Sequence, residues 1–443
     1  MLTVDSIRPC LEGAIPAIMT TSDGDGIPNV AYLSQVEYID RKHVALSFQF
    51  FNKTRANILV NPRTQLIVID PRTGATYRLQ LVYLRTETEG PLFERMKAKL
   101  AGIASHTGMA GIFKLRGADI YRVDAIAQLK SGLPQQIAQR NVLAALRACA
   151  EQLHRCNDLD ALFDTMLEAL QREFAIAHSL FLLFDRSTQK LFAVASHGYE
   201  NSGVGGEICL GEGVIGVAAQ ARTPIRIGHT TSEYGYGRAV RAAAVEAGLG
   251  DLLETEIPLP GLPESRSQMA VPIIAQQQLL GVLYVESPFD MRFGYDEEDA
   301  LAVLATQIGN LMLQLQLTPD TEISAIATPL PSPSGAPAEV RYYAQNHSVF
   351  LDGDYLIKGV AGAIFWTLAQ DYVGNGKRIF SNRQLRLDQR IRLPELSDNL
   401  EARLILLSRR LHERSACVRI EKCGRGQFEL LVRRPLTLIA ANT

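Results

Sequence analysis

Apolar and polar residues alternate with a period of two along several stretches near the start of the chain: AIPAIMTT, IPNVAYLSQV, HVALSFQF, TQLIVID and YRLQLVYLRTET. Such alternation predicts half-buried strands. DGDG and DPRTGA between them supply the Gly, Asp and Pro that tight turns use. PLFERMKAKLAGIA switches to helical spacing, and GIFKLRGADIYRVDAI reads as a closing pair of strands. Residues 1–130 are therefore expected to form a small β-barrel. Residues 131–157 follow as a connecting helix.

Strands and helices mix over 158–317. Leu159, Leu162, Phe163, Met166, Leu167 and Leu170 make one helical stripe. SLFLLFD with KLFAVASHG reads as a hairpin, GEGVIGVAAQAR as a glycine-led helix, and SQMAVPIIAQQQLLGVLYVES as a second hairpin. The unit closes with an amphipathic helix that Asp296 is placed to N-cap. Residues 318–339 are rich in Pro, Ser and Ala and read as a linker. A third unit, 340–443, combines short strands, helices in VAGAIFWTLAQDYV and DNLEARLILLSRRLHE, and a last hairpin in SACVRIEKCGRGQFELLV. The fold class expected is multidomain α+β.

Composition adds one feature that the pattern does not contain. The net charge of −2 conceals segregation: Lys+Arg against Asp+Glu is 16 against 12 over residues 1–130, 12 against 25 over 131–339, and 17 against 10 over 340–443. An acidic middle and a basic tail predict a polyanionic partner at the C-terminal end. The six cysteines form no CxxC pair and no metal-ligand spacing. With no apolar run near the roughly 20 residues that span a bilayer and no export signal at the start, a cytoplasmic protein without membrane contact is expected.

SFQFFNKTRANILVNPR, residues 47–63, carries the clearest candidate chemistry. A strand ends in Asn52-Lys53-Thr54-Arg55, and a short helix stopped by Pro62 follows at once. Unpaired backbone N–H groups, a hydroxyl and cations at one corner suit an anion. A solvated strand-to-helix corner is the alternative reading of the same residues.

Residues 14–125 resemble the flavin-binding split barrel of the pyridoxamine 5′-phosphate oxidase superfamily, on the strand leading into Asn52-Lys53-Thr54-Arg55, with Asn57 and Asn61-Pro62-Arg63 after it. The resemblance implies a homodimer that holds FMN at its interface. Asn52, Lys53 and Thr54 would meet the phosphate, and Ser47 and Phe48 would lie near the flavin. Haem or a deazaflavin are the alternatives within the superfamily, with His106 as the position that could meet either a haem or a flavin. Thr54 stands where the oxidase usually has a second basic residue, and Pro28-Asn29-Val30 where it has an Arg-rich strand. Its substrate-binding motif is not found.

Residues 158–317 resemble a GAF domain through LGEGVIG, AVPI and LLGVLYVES. The resemblance implies a small-molecule sensor, its ligand unnamed. Glu286-Ser287 stand where the cyclic-nucleotide subgroup has Asn-Lys, which argues against that ligand. Cys209 is expected to be a buried structural thiol. Tyr234, Tyr236, Arg238 and Arg241 form either a lid or a polar surface excursion.

Residues 340–443 resemble the winged-helix output domain of response regulators, with DNLEARLILLSRRL as the recognition helix and IEKCGRGQFELL as the wing. DNA would be met by Arg383, Arg403, Arg409, Arg410, Lys422 and Arg425. On the helix, Leu400, Leu404, Leu407 and Leu411 form the core stripe, while Ala402, Ile405 and Arg409 fall opposite, beside Leu406. That second face would serve DNA or dock a protein partner. The function expected is a dimeric one-component sensor and transcriptional regulator. The alternative is a flavin-dependent oxidoreductase with a regulatory GAF domain and a protein-docking tail.

Overall fold

The alternating stretches near the start fold into one seven-stranded antiparallel sheet. A computed structural model describes residues 2–11, 15–33, 35–48, 52–106, 115–132, 141–228, 257–317, 333–391, 400–415, 417–424 and 426–441. The first sheet has the order β2-β1-β5-β6-β7-β4-β3. Its strands are β1 (Ala17–Ser22), β2 (Pro28–Leu33), β3 (Val36–Asp40), β4 (His43–Phe48), β5 (Arg63–Ile69), β6 (Thr76–Glu87) and β7 (Gly117–Lys130). Helix α1 (Asn52–Val60) links β4 to β5, and α2 (Pro91–His106) links β6 to β7. Of the expected closing pair of strands, residues 111–114 lie outside the described residues and the remainder is one long strand, β7. It pairs with both β6 and β4, so one strand serves both sides. Met19, Leu46, Leu66, Leu79 and Tyr121 fill the core with side chains fully out of water.

After α3 (Val142–Leu153) and α4 (Leu159–Phe174) comes a six-stranded antiparallel sheet, β10-β9-β8-β13-β12-β11. It comprises β8 (His178–Asp185), β9 (Lys190–His197), β10 (Glu207–Cys209), β11 (Ile225–Ile227), β12 (Ser267–Ala275) and β13 (Gln278–Ser287). Asp158 caps α4 through the Ala161 N–H, as Ser, Asp and Asn do at helix starts. Between β10 and β11 lies α5 (Gly213–Ala221), whose Gly216 Cα sits against the Cys209 carbonyl where no Cβ fits. Helix α6 (Tyr295–Leu317) closes the unit. Asp296 lies inside its first turn rather than at the cap, because Glu297 reaches back to the Gly294 N–H and the helix starts two residues earlier.

The tail has two sheets. β14 (Ala338–Tyr343), β15 (Ser348–Leu351) and β16 (Asp354–Ile357) form an antiparallel meander, and β20 (Leu436–Ala441) joins β14 in parallel. β17 (Ile379–Ser381), β19 (Gln427–Val432) and β18 (Val418–Gly424) form the second sheet in that order. The helices are α7 (Gly359–Asn375), α8 (Asn382–Leu387) and α9 (Leu400–Arg414). The predicted last hairpin is β18–β19, but β20 follows it and returns to the tail's first strand.

The three units pack on one another. Ala98 of α2 enters the apolar cluster of Val214, Ile215 and Ala218 on α5. The Arg8 guanidinium lies between the rings of Tyr38 and Tyr295, 4.7 and 4.1 Å from their centroids. A single hydrophobic cluster runs from Phe163, Phe181 and Val194 through Ile405 and Leu406 to Phe365 and Leu430 in the tail. No helix among the described residues is long and apolar enough to cross a membrane.

Candidate functional site

At the start of α1 the sequence places short polar side chains where the helix turns over β1 and β2. Thr54 and Asn57 are buried there. Asn29 Nδ2 donates to the Thr54 hydroxyl at 2.9 Å, and Asn57 Nδ2 to the Thr21 hydroxyl at 3.1 Å. Asn61 Nδ2 reaches Ser22 at 2.9 Å. These bonds fix the helix, and with it the backbone N–H groups of its first turn, which have no acceptor within the helix. Thr54 uses its oxygen to accept from Asn29, which leaves its O–H as a donor. Lys53 is exposed.

Arg55, expected as one of the cations of the corner, is instead paired with a carboxylate. Its Nη1 lies 2.7 Å from Asp119 on β7, and its guanidinium lies 5.1 Å from the Phe48 centroid and 5.4 Å from that of Tyr83. Thr86 donates to the same Asp119 oxygen at 2.5 Å, and Tyr83 pairs with Thr86 at 2.7 Å. Burial pushes the Asp119 carboxyl above the usual range, against the opposing pull of Thr86 and Arg55. Arg55 thus ties Phe48 at the end of β4 to the first turn of α1. Ser47, Phe48, Lys53 and Thr54 belong to one corner, with Ser47 buried and its N–H bonded to the Gln35 carbonyl. Asn52 opens the helix, but its side chain lies outside the described residues, as does that of His106.

On the six-stranded sheet, cross-strand pairing aligns His178, Glu286 and Gln268 on neighbouring strands. Glu286 is buried and accepts from the Leu262 N–H at 2.8 Å, with the Tyr284 hydroxyl at 3.4 Å. Gln268 donates to Ser265 at 3.0 Å. Glu286 is thus a buried carboxylate held by a main-chain donor. Cys209 is exposed at the end of edge strand β10, not buried as expected, because it alternates with Ile208 and shares the exposed side with Glu207. Tyr234, Tyr236, Arg238 and Arg241 lie outside the described residues. No group of three or more metal-ligating side chains occurs among the described residues.

The tail helix α9 departs furthest from expectation. The face opposite its own core was to be open, yet Ala402, Ile405 and Leu406 are buried along with the core stripe. The cover is the neighbouring unit. Arg409 Nε and Nη2 donate to Asp160 at 3.0 and 2.6 Å, Nη2 also reaches Asp164 at 2.7 Å, and Nη1 donates to the Val194 carbonyl at 3.2 Å. Arg403 pairs with Asp185 at 2.7 Å, its guanidinium 4.4 Å from the Phe192 centroid. Lys422 pairs with Asp158 at 3.2 Å, and Lys358 with Glu207 at 3.3 Å. Arg410, expected to touch phosphate, is buried: its Nε donates to the Leu356 carbonyl at 3.1 Å and its Nη1 to Glu413 at 3.2 Å. Arg383 on α8 is exposed, and Arg425 lies outside the described residues. In this arrangement Arg403, Arg409 and Arg410 do not form an open surface, and Lys422, still half-exposed, is paired with Asp158. Acidic side chains or the tail itself engage all four.

A family model for the GAF domain matches residues 158–312, and this part of the chain is a GAF domain. No curated protein matches the chain. Among solved structures, the GAF domain of an Acinetobacter phosphoenolpyruvate-protein phosphotransferase is 18% identical, covering 40% of this chain and 96% of that one, with a TM-score of 0.31. A free methionine-R-sulfoxide reductase from Neisseria meningitidis in complex with its substrate is 17% identical, covering 42% and 97%, with a TM-score of 0.31. An FMN-binding protein from Syntrophomonas wolfei is 20% identical, covering 29% and 90%, with a TM-score of 0.23. Likenesses at this level assign no ligand.

Proposed function

We propose that the chain is a dimeric sensor in which a split barrel holds FMN, the GAF domain takes a small molecule, and a winged-helix tail acts on DNA. The observation that carries the flavin part is the corner at α1. A phosphate dianion there would meet the free N–H groups of the first turn, the Thr54 O–H and the exposed Lys53 ammonium, with Phe48 held alongside by Arg55. Bound FMN would supply redox chemistry. The residues of this chain bind and orient it.

Beside that corner, Ile27 just before the terminal strand β2, Val30 and Tyr32 on it, and Leu59 and Val60 on α1 are between 55% and 68% exposed. An unpaired sheet edge flanked by large apolar side chains favours a partner, and a second copy of the chain is the occupant we assign. In the tail, the order α7, β17, α8, α9, β18, β19 supports the winged-helix reading. Titrating the purified full chain with FMN tests the barrel: a saturable shift of the flavin absorbance bands is expected. Unchanged bands would leave the barrel a dimerisation module.

A further inference from the structure

We propose that the docked tail is an autoinhibitory latch: the GAF domain grips α9 through Arg409–Asp160/Asp164 and Arg403–Asp185, and β18 through Lys422–Asp158, and so withholds the face that α9 would offer a partner. This deepens the sensor reading above and rests on its assignment of the tail as the output. Three observations support it.

The first is chemical exclusivity. The Arg409 donors are taken by two carboxylates and a main-chain carbonyl, and a guanidinium so engaged cannot also bind a phosphate. On α9 and the tail the charges are basic, while on α4 and β8 they are acidic, and the GAF carboxylates stand where a polyanion's oxygens would.

The second is reversibility. The apolar part of the contact, Ile405 and Leu406 against the cluster shared with the GAF sheet, is rimmed by ion pairs. Asp164 keeps 56% of its side chain exposed and Lys422 keeps 48%, so solvent and salt reach them. The ion-pair rim is thus the part of the contact that salt and charge reversal weaken first.

The third is position. Strand β9 alternates, with Leu191 and Ala193 in the cluster on the α5 side and Phe192 and Val194 in the cluster shared with the tail. The Arg409 acceptor, the Val194 carbonyl, belongs to that same strand. One wall therefore borders both the α5 side of the GAF sheet and the latch.

The test uses the full chain and zero-length carbodiimide cross-linking read by mass spectrometry. The native chain is expected to give Lys422–Asp158 and Lys358–Glu207 adducts. Asp160→Asn, Asp164→Asn and Asp185→Asn together should lower both adducts at least about fivefold, the lower end of typical coupling between sites. Arg409→Asp alone should do the same, and adding Asp160→Arg and Asp164→Arg to it should restore them, which separates release from misfolding. No adducts in the native chain, or unchanged yields in the triple variant, overturn the latch. Duplex DNA of random sequence at low salt is then offered to both proteins. Binding by the triple variant but not the native chain supports both readings. Released adducts without DNA binding leave the latch standing and remove DNA as the partner.

Discussion

Arg403 on α9 and Asp185 at the end of β8 lie 2.7 Å apart with 9% and 8% of their side chains exposed. The Arg403 guanidinium also covers the Phe192 ring, so the pair seals the join between tail and GAF domain. Two charges taken out of water together gain little over an apolar pair, but a buried charge left alone is costly.

Asp185→Ala is accordingly expected to destabilise the chain by about 3–5 kcal/mol, since it strands the Arg403 charge. Arg403→Met with Asp185→Leu should cost far less. Urea unfolding of the three proteins checks this. Equal losses for the single and paired replacements would show that lost packing, not the orphaned charge, sets the cost.

Acid should act on the tail contact in two stages. Burial pushes the Asp185 carboxyl up, but Arg403, with the Ser187 and Thr188 hydroxyls, brings it below the usual range. Burial likewise raises Asp158, and the Ala161 N–H and Lys422 bring it below. A carboxylate held below its unfolded value stabilises the fold above about pH 4 and loses that contribution as pH falls through the folded value. Asp164 is opposite: although its side chain keeps 56% of its surface in solvent, partial removal of the carboxyl from water holds it somewhat above the usual range despite Arg409, with Asp160 and Glu168 adding to the rise. Its ionisation costs the fold stability, and that cost disappears on acidification. Stability is therefore expected to drop below about pH 4 with a slope that Asp185→Asn reduces. Denaturant titrations at pH 5, 4 and 3 measure it, and an unaltered slope would remove Asp185 from the account.

Much of this contact was written locally and misassigned globally. The α9 pattern has two apolar faces, and a helix apolar on both sides is buried on both sides. Ile405 and Leu406 were legible as a docking face, and the basic tail and acidic middle were legible as charge. That each is the other's partner could not be read, because Arg409 and Asp160 are 249 residues apart and no local rule joins them. The same holds for Arg55 with Asp119, and for β20, whose parallel pairing with β14 depends on closure of a long loop. The GAF strands were legible because continuous apolar runs such as LLGVLYVES bury both faces. The helix Asn52–Val60, ending before Pro62, was also local and formed where the sequence placed it.

The exposed apolar edge at β2 should set the oligomeric state. Val30→Asp with Tyr32→Asp places like charges on an edge now offering Val30 at 62% and Tyr32 at 67% exposure. Light scattering is expected to show a dimer for the native chain and half that mass for the variant. Because Asn29, between those positions and Thr54, braces the anion corner, FMN affinity should fall in parallel. A native monomer would end the proposal that a second copy covers this edge.

Lys53 and Arg55 are neighbours with opposite expected roles, and comparing them tests the flavin site most directly. Lys53 is exposed, so removing it costs the fold little. If it meets the FMN phosphate, Lys53→Ala should weaken binding by about 1.5–3 kcal/mol, the range for a hydrogen bond to a charged group. Arg55 is tied to buried Asp119 and lies beside the Phe48 and Tyr83 rings. Arg55→Ala should therefore lower stability first, leaving Asp119 buried with only the Thr86 hydroxyl to hold it. Arg55→Ala with Asp119→Asn should recover much of that loss. Calorimetric FMN titration and thermal melts of the same four proteins separate the roles. If Lys53→Ala binds FMN as tightly as the native chain, Lys53 is not a phosphate ligand, and if it melts early instead, the exposed ammonium is structural.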